Sequence, residues 1–335
     1  MSRDVVKALE RRFGQATVVS GRSGTEIVVE CPKCGHRKMW ANPAKNAWHC
    51  WVCEGHGKLS DLLRIPASKL KAMRGAAPKR ERRAQKGYIS PGATVPLETV
   101  SLESSPGLYL MNRGFDPYRL GKVFGFEYCS AGVQFAGGVF STSNTVVIPV
   151  VKNGVKVAWQ ARLLYDPDKV EESMVPAMGW KWDEEKRKWR KPPKYFTMPG
   201  FDKGLHLFNR DNASKFGFAV VTEGAFDAAS VGRCAVASFG KELTDEQVGI
   251  LMGWPVVLLL LDPDAASTQD SLERRLRMSG RGPKVVKVAL EGYKDAGDCP
   301  HGELVGQIIS AADKAGVNLV DYAGGPEDPF ESARD

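Results

Sequence analysis

The chain has 335 residues, 43% of them hydrophobic and 26% charged, with 47 Lys and Arg against 39 Asp and Glu. This composition belongs to a folded chain with room for two or three modest domains, and it excludes wholesale disorder. The formal charge of +8 and a pI near 9.0 suggest nucleic acid or another polyanion without identifying one.

The opening MSRDVVKALERRFG is charged throughout, so no secretory leader is expected. The longest apolar run, WPVVLLLL, falls far short of the roughly 18 residues that a membrane span needs. Val5, Val6, Leu9 and Phe13 stand at helical spacing, and a turn rich in Gly and Ser should follow them to residue 24. TEIVVECPKC then alternates as a strand. It delivers the first half of a quartet, Cys31, Cys34, Cys50 and Cys53, spaced C-x2-C-x15-C-x2-C. Two such knuckles can place four thiolates tetrahedrally around one structural zinc, with no open position for chemistry. His36, His49 and His56 lie close enough in sequence to replace one cysteine. Four of seven cysteines in this pattern point to a reducing compartment.

In NAWHCWV, His49 and Trp51 fall on the strand face opposite Trp48 and Cys50. Trp40, Trp48 and Trp51, with Lys33, Arg37 and Lys38 nearby, suit stacking on unpaired bases or a small core equally well. GKLSDLL predicts a short helix capped by Ser60. Residues 69–86 carry eight basic side chains and one acidic one, a charge of +7. A basic flexible linker over 69–96 is expected, leaving the rest of the chain near +1.

SPGLYLMNRGF predicts a helix and a Gly turn. TVVIPVV and VKVAWQARLLY follow as strands, then MGWKWDEEKRKWRKPPKY as a hairpin or long loop. From Phe216 the runs FAVVTE, CAVAS, PVVLLLLD and KVVKVAL alternate with helical spacing, which predicts a mainly parallel sheet covered by helices. Acids follow three of these runs: Glu223 with Asp227, Asp262 with Asp264, and Asp295 with Asp298. Such ends converge on the carboxyl edge of a parallel sheet, where clustered carboxylates repel unless divalent cations neutralise them. Hard oxygen donors suit Mg²⁺ or Mn²⁺. The last residues, YAGGPEDPFESARD, read as an acidic, disordered tail over 321–335.

The acids resemble those of a TOPRIM domain, which carries a Glu after its first strand and a D-x-D after a later one. VVTEGAFDAAS, ASFGKELTDEQ, YLMNRGF, VVIPVV, ARLL and PKYFTMPGFDKG together resemble the DNA primases of bacteria (DnaG) and bacteriophages. WHCWVCEGHG is similar to their zinc-binding domain. Four cysteines and the KDAGDC run sit closer to phage primases, although no helicase domain follows. The resemblance covers roughly residues 25–315. It implies a multidomain α+β and α/β architecture: an N-terminal zinc ribbon over 1–68, the linker, and a primase core. That core would have an α+β N-terminal subdomain over 97–212 and a TOPRIM α/β subdomain over 213–320.

The resemblance further implies template-dependent synthesis of short RNA primers on single-stranded DNA from ribonucleoside triphosphates, with a separate replicative helicase as partner. A bacterial or phage-infected cytoplasm is the implied location. Glu223, Asp262, Asp264 and Asp295 would be catalytic and hold Mg²⁺ or Mn²⁺; Glu223 as base towards the primer hydroxyl stays open. Asp227 and Asp298 would orient these ligands. Arg113, Arg162, Lys194, Lys203 and Lys241 would meet template or nucleotide, while Trp48, His49 and Trp51 read the start site. A TOPRIM nuclease would use the same acids, but such nucleases usually carry an ATPase. A topoisomerase needs a further domain with a Tyr nucleophile. A recombination mediator lacks the middle region, and a non-catalytic zinc and DNA-binding replication adaptor would not need an intact set of acids.

Overall fold

The computed structural model describes residues 3–21, 24–73, 87–135, 139–175, 180–184, 187–240, 242–277 and 282–334. The chain divides into two compact units, Met1–Ala84 and Gln85–Asp335.

The first unit comprises helix α1 (Arg3–Phe13), strands β1 (Thr17–Gly21), β2 (Gly24–Val29), β3 (Met39–Asn42), β4 (Ala47–Cys50) and β5 (His56–Lys58), then helices α2 (Leu59–Leu63) and α3 (Ala67–Met73). The strands form an antiparallel meander in chain order. Its core follows from two periodicities. Val5 and Leu9 lie four apart on α1, and Ile27 and Val29 lie two apart on β2; all are buried with Met39, Trp48, Leu59, Leu63 and Leu70. Three expectations change. Residues 17–21 are a strand, not a turn, because Val18 and Val19 pair with Ile27 and Glu26. Ser60 lies inside α2 instead of capping it, and Asn46 reaches in to accept from its backbone N–H at 2.8 Å. Lys69–Met73, assigned to the linker, is helical, and 92–96 at the other end is a strand of the core sheet; 74–86 lies outside the described residues.

The second unit opens with strand β6 (Gly92–Pro96), helices α4 (Ser105–Met111) and α5 (Pro117–Phe124), and strand β7 (Glu127–Gly132). The short pair β8 (Gln134–Phe135) and β9 (Phe140–Ser141) follows, then the long hairpin β10 (Thr145–Lys152) and β11 (Val155–Leu163). A separate ribbon, β12 (Lys181–Asp183) and β13 (Lys188–Arg190), precedes β14 (Tyr195–Thr197). These give an antiparallel sheet of order β14-β11-β10-β7-β6. Trp159 of β11 is wholly buried and donates its indole N–H to the Ile89 carbonyl at 2.6 Å, which satisfies its one polar atom.

The chain continues through α6 (Arg210–Ala213), β15 (Phe218–Thr222), α7 (Ala225–Val231), β16 (Ala235–Ala237), α8 (Asp245–Leu251), β17 (Val256–Leu259), α9 (Ala266–Arg277), β18 (Lys284–Lys287) and α10 (His301–Lys314). The last four strands form a parallel sheet of order β16-β15-β17-β18. Its strands are buried on both faces. On β15, Phe218 and Val220 join the core beneath α7 and α10, while Ala219 and Val221 face α8 and α9. Because α7 and α9 leave from opposite faces, the ends of the neighbouring strands β15 and β17 open a crevice between them. The α+β class with a parallel-sheet layer is therefore as expected. The first core is shared by both sheets, so the expected boundary at 212/213 runs through continuous packing.

The expected disordered tail is instead packed. Cys234 donates its backbone N–H to the Pro329 carbonyl at 2.9 Å, and Phe330 meets Phe218 at 5.9 Å. Glu331 pairs with Arg233, and Ala333 is wholly buried. Gly232 permits this docking: its φ is +136°, and a Cβ there would lie 2.6 Å from the Phe330 backbone. Gly232→Ala is expected to detach the segment and expose the buried Cys234, read as accelerated labelling by a thiol reagent.

Candidate metal centres

In the first unit, Cys31 lies two residues beyond the end of β2 and Cys50 ends β4, each opening a tight knuckle. The Gly35 N–H donates to the Cys31 carbonyl at 2.9 Å with φ at +72°, and the Cys50 N–H donates to the Gly55 carbonyl at 2.8 Å. The four sulfurs lie within 4.8 Å of one another, with Cys31–Cys53 and Cys34–Cys50 both at 3.7 Å. A tetrahedron with Zn–S bonds near 2.3 Å has edges of about 3.8 Å, whereas a disulfide needs about 2.05 Å, so the donor set fits zinc. Backbone N–H groups of Cys53 and Val52 help lower the Cys50 thiol to about 6, while burial and the neighbouring thiols push Cys34 up to about 12, so the sulfurs share their ionisation. His36 and His56 are not in the cluster; their Nδ1 atoms lie 2.9 Å from the Cys34 and Glu54 carbonyls.

Alternation on β4 separates Trp48 from His49, and Trp51 stands in the knuckle just beyond the strand. Trp48 is buried, with Lys33 Nζ 5.9 Å from its ring, so it belongs to the core and is removed from the expected reading set. Trp51 is 69% exposed and meets His49 edge-on at 4.5 Å; His49 in turn stacks on His56 at 6.4 Å. This leaves one presented aromatic face.

In the second unit, Glu223 follows β15 and Asp262 and Asp264 follow β17, across the crevice between those strands. Their carboxylate oxygens lie within 4.8 Å of one another. Two oxygens on one Mg²⁺ stand about 3–4 Å apart, so a small closure would let this hard donor set share cations. Asp295 lies outside this tight triad. It lines a cavity of about 500 Å³ with Asp227 and Asp298, and Asp298 pairs with Lys294 at 2.9 Å.

Asp227 accepts from the Gly224 N–H at 3.1 Å, and a Cβ at residue 224 would collide with its carboxylate at 2.6 Å. Burial, then the charges of Asp295 and Asp262, push Asp227 up to about 7. A carboxylic acid raised in the folded state holds a proton that the unfolded chain has released, so stability falls as pH rises from about 4 through 7. Without divalent cations, the melting temperature should fall between pH 5 and pH 8. Asp227→Asn should flatten that slope in thermal melts.

The predicted cations divide. Arg113 lies over the Phe226 ring at 4.8 Å and lines the cavity; Arg162 lies over Tyr195 at 4.7 Å and over Phe226 at 5.6 Å. Lys194 is instead committed to Asp166 at 2.8 Å, and Lys203 to the Phe239 carbonyl at 2.7 Å. Both lysines brace loops in this conformation, contacts that sequence spacing cannot reveal. Lys241 lies outside the described residues. Arg334 escaped sequence reading altogether, although it lines the same cavity. Its only signal was a cation near the end of an acidic stretch.

Solved structures similar to this chain include two primases. One is the Aquifex aeolicus primase, comprising zinc-binding and RNA polymerase domains, at 21% identity and TM-score 0.45. It covers 92% of this chain and 83% of that one. The other is the RNA polymerase domain of Mycobacterium tuberculosis primase DnaG, in complex with a double-stranded DNA oligomer with a 6-nucleotide overhang. It has 19% identity and TM-score 0.43, covering 63% of this chain and 74% of that one. No family model and no curated protein matches the sequence. Among the described residues, no helix is long and apolar enough to cross a membrane.

Proposed function

We propose that the protein is a DNA primase, a polymerase that synthesises short RNA on single-stranded DNA. The convergence of Glu223, Asp262 and Asp264 at the crevice of a parallel sheet carries this reading. The four-thiol centre in the first unit supports it, and the cysteine set and KDAGDC run favour the phage branch. In the reaction, the primer 3′-hydroxyl oxygen bonds to the α-phosphorus, the α–β bridging bond breaks and pyrophosphate leaves with its electrons. The hydroxyl proton passes to a base, a role open to Glu223 only as the alternative to its holding a cation. Mg²⁺ or Mn²⁺ held by Glu223, Asp262 and Asp264, with Asp295 completing the set, would supply charge neutralisation on the phosphates. Asp227 fixes the Gly224 turn behind Glu223, and Asp298 keeps Lys294 at the cavity mouth. Arg113 and Arg162, held over aromatic rings, offer guanidinium donors to template or nucleotide. Trp51 and His49 present a stacking face for unpaired template bases, which would select the start site. A replicative helicase partner and a cytoplasmic setting belong to the same proposal.

The test is ribonucleotide incorporation on single-stranded templates of varied sequence with Mg²⁺ or Mn²⁺. Template-dependent short RNA is expected. Cleaved template without RNA would replace this reading by a nuclease, and template binding without either product would leave a replication adaptor.

A further inference from the structure

The cavity beside the acidic triad is lined by Arg113, Asp227, Lys294, Asp295, Asp298 and Arg334, among others. Five of these belong to the elements that build the site, whereas Arg334 arrives from the docked last segment. Its position is strongly fixed. The Ala333 N–H donates to the Ala229 carbonyl, and the Ala333 carbonyl accepts from the Asp116 N–H, both at 2.9 Å. The Arg334 N–H donates to Ser332 Oγ at 3.1 Å. The guanidinium lies over the Phe115 ring at 5.2 Å, and a Cβ on Gly114 would come within 2.5 Å of its Nη2.

Although held, this guanidinium is unsatisfied. Its Nη1 is buried with no acceptor, and among the described residues no carboxylate pairs with it, despite three in the same cavity. A buried donor without a partner is left short of a hydrogen bond, so a fixed one is poised for an acceptor from outside the chain. That ligand must offer anionic oxygens to a guanidinium yet tolerate clustered carboxylates. The phosphate tail of a nucleoside triphosphate, carrying divalent cations, has both properties. A DNA backbone phosphate, with one charge, matches the crowded carboxylates less well.

We propose that Arg334 is a substrate-binding residue that contacts the phosphate tail of the incoming nucleoside triphosphate, delivered to the site in cis by the docked segment. The inference rests on the polymerase reading but is tested separately from it. Mg²⁺–ATP is titrated into the full chain without template, by calorimetry, for wild type, Arg334→Gln and Arg334→Lys. Affinity should fall at least five-fold in the Gln variant and recover in part with Lys, with melting temperature and oligonucleotide affinity unchanged. Equal ATP affinity in all three, or no ATP binding by wild type, overturns the proposal. So does a loss that accompanies a lower melting temperature and weaker oligonucleotide binding, because the segment would then only brace the fold. Arg334-dependent ATP binding by a wild type that makes no RNA upholds this inference and refutes the polymerase reading. RNA synthesis with the same KM for nucleotide in wild type and Arg334→Gln does the reverse.

Discussion

Asp262→Asn should reduce template-dependent RNA synthesis by three orders of magnitude or more, which corresponds to about 4 kcal/mol or more of barrier. The size follows from position. Asp262 belongs to the triad, and its charge also reaches Asp227 behind it. Replacing one oxygen with an amide removes a hard anionic donor but keeps shape and volume. The fold should therefore survive, and binding to single-stranded DNA should be unchanged or tighter, since one negative charge is lost. Asp298→Asn is the internal comparison: its side chain is 50% exposed and paired with Lys294, so less than a ten-fold loss is expected. Initial rates at saturating nucleotide, with circular dichroism on each variant, separate the two. Retention of more than a tenth of wild-type rate by Asp262→Asn would remove the triad from the chemistry, whatever else the protein does with DNA.

The acidic edge was legible because its signal is local. A fully buried parallel strand reads as an apolar run, and the residue immediately after it must lie at the sheet edge. Glu223 after FAVVT and Asp262 after the VVLLLL run declare themselves in this way. What spacing could not assign was the division of labour among the acids. Asp295 joins Asp227 and Asp298 along the cavity, a distinction set by the loop after β18 rather than by a strand. Alternation along β4 puts His49 opposite Trp48 and Trp51 follows in the knuckle, but only the meander's packing decides which face is covered. The last segment was misread for a different reason. PEDPFESARD lacks the apolar density of a core, and the contacts that dock it are distant in sequence: Phe330 with Phe218, Glu331 with Arg233, and Ala333 with Ala229. Such a segment gains its order from a surface prepared elsewhere, so composition alone reports it as solvated.

Cys50→Ser should abolish zinc binding and unfold the first unit while leaving the second intact. This unit is small: its core is three short helices against one five-stranded meander, and two of the four sulfurs, Cys31 and Cys50, are part of that core. A structural zinc contributes about 10–16 kcal/mol to such domains, as much as the whole stability of a typical one. Serine keeps the size but lacks a thiolate, and Cys50 ends the strand that carries both Trp48 and His49. Wild type should hold one zinc per chain; the variant should hold almost none, and a chelator should reproduce its effect. Limited proteolysis should then degrade the first unit and spare the second, whose core is separate. In the RNA assay, basal synthesis should persist while preference among start sites disappears, because Trp51 and His49 lose the scaffold that presents them. Full zinc content and protease resistance in Cys50→Ser would show that three thiols and a neighbouring histidine suffice. Zinc loss with unchanged start-site preference would separate the metal from template reading and move recognition into the polymerase unit.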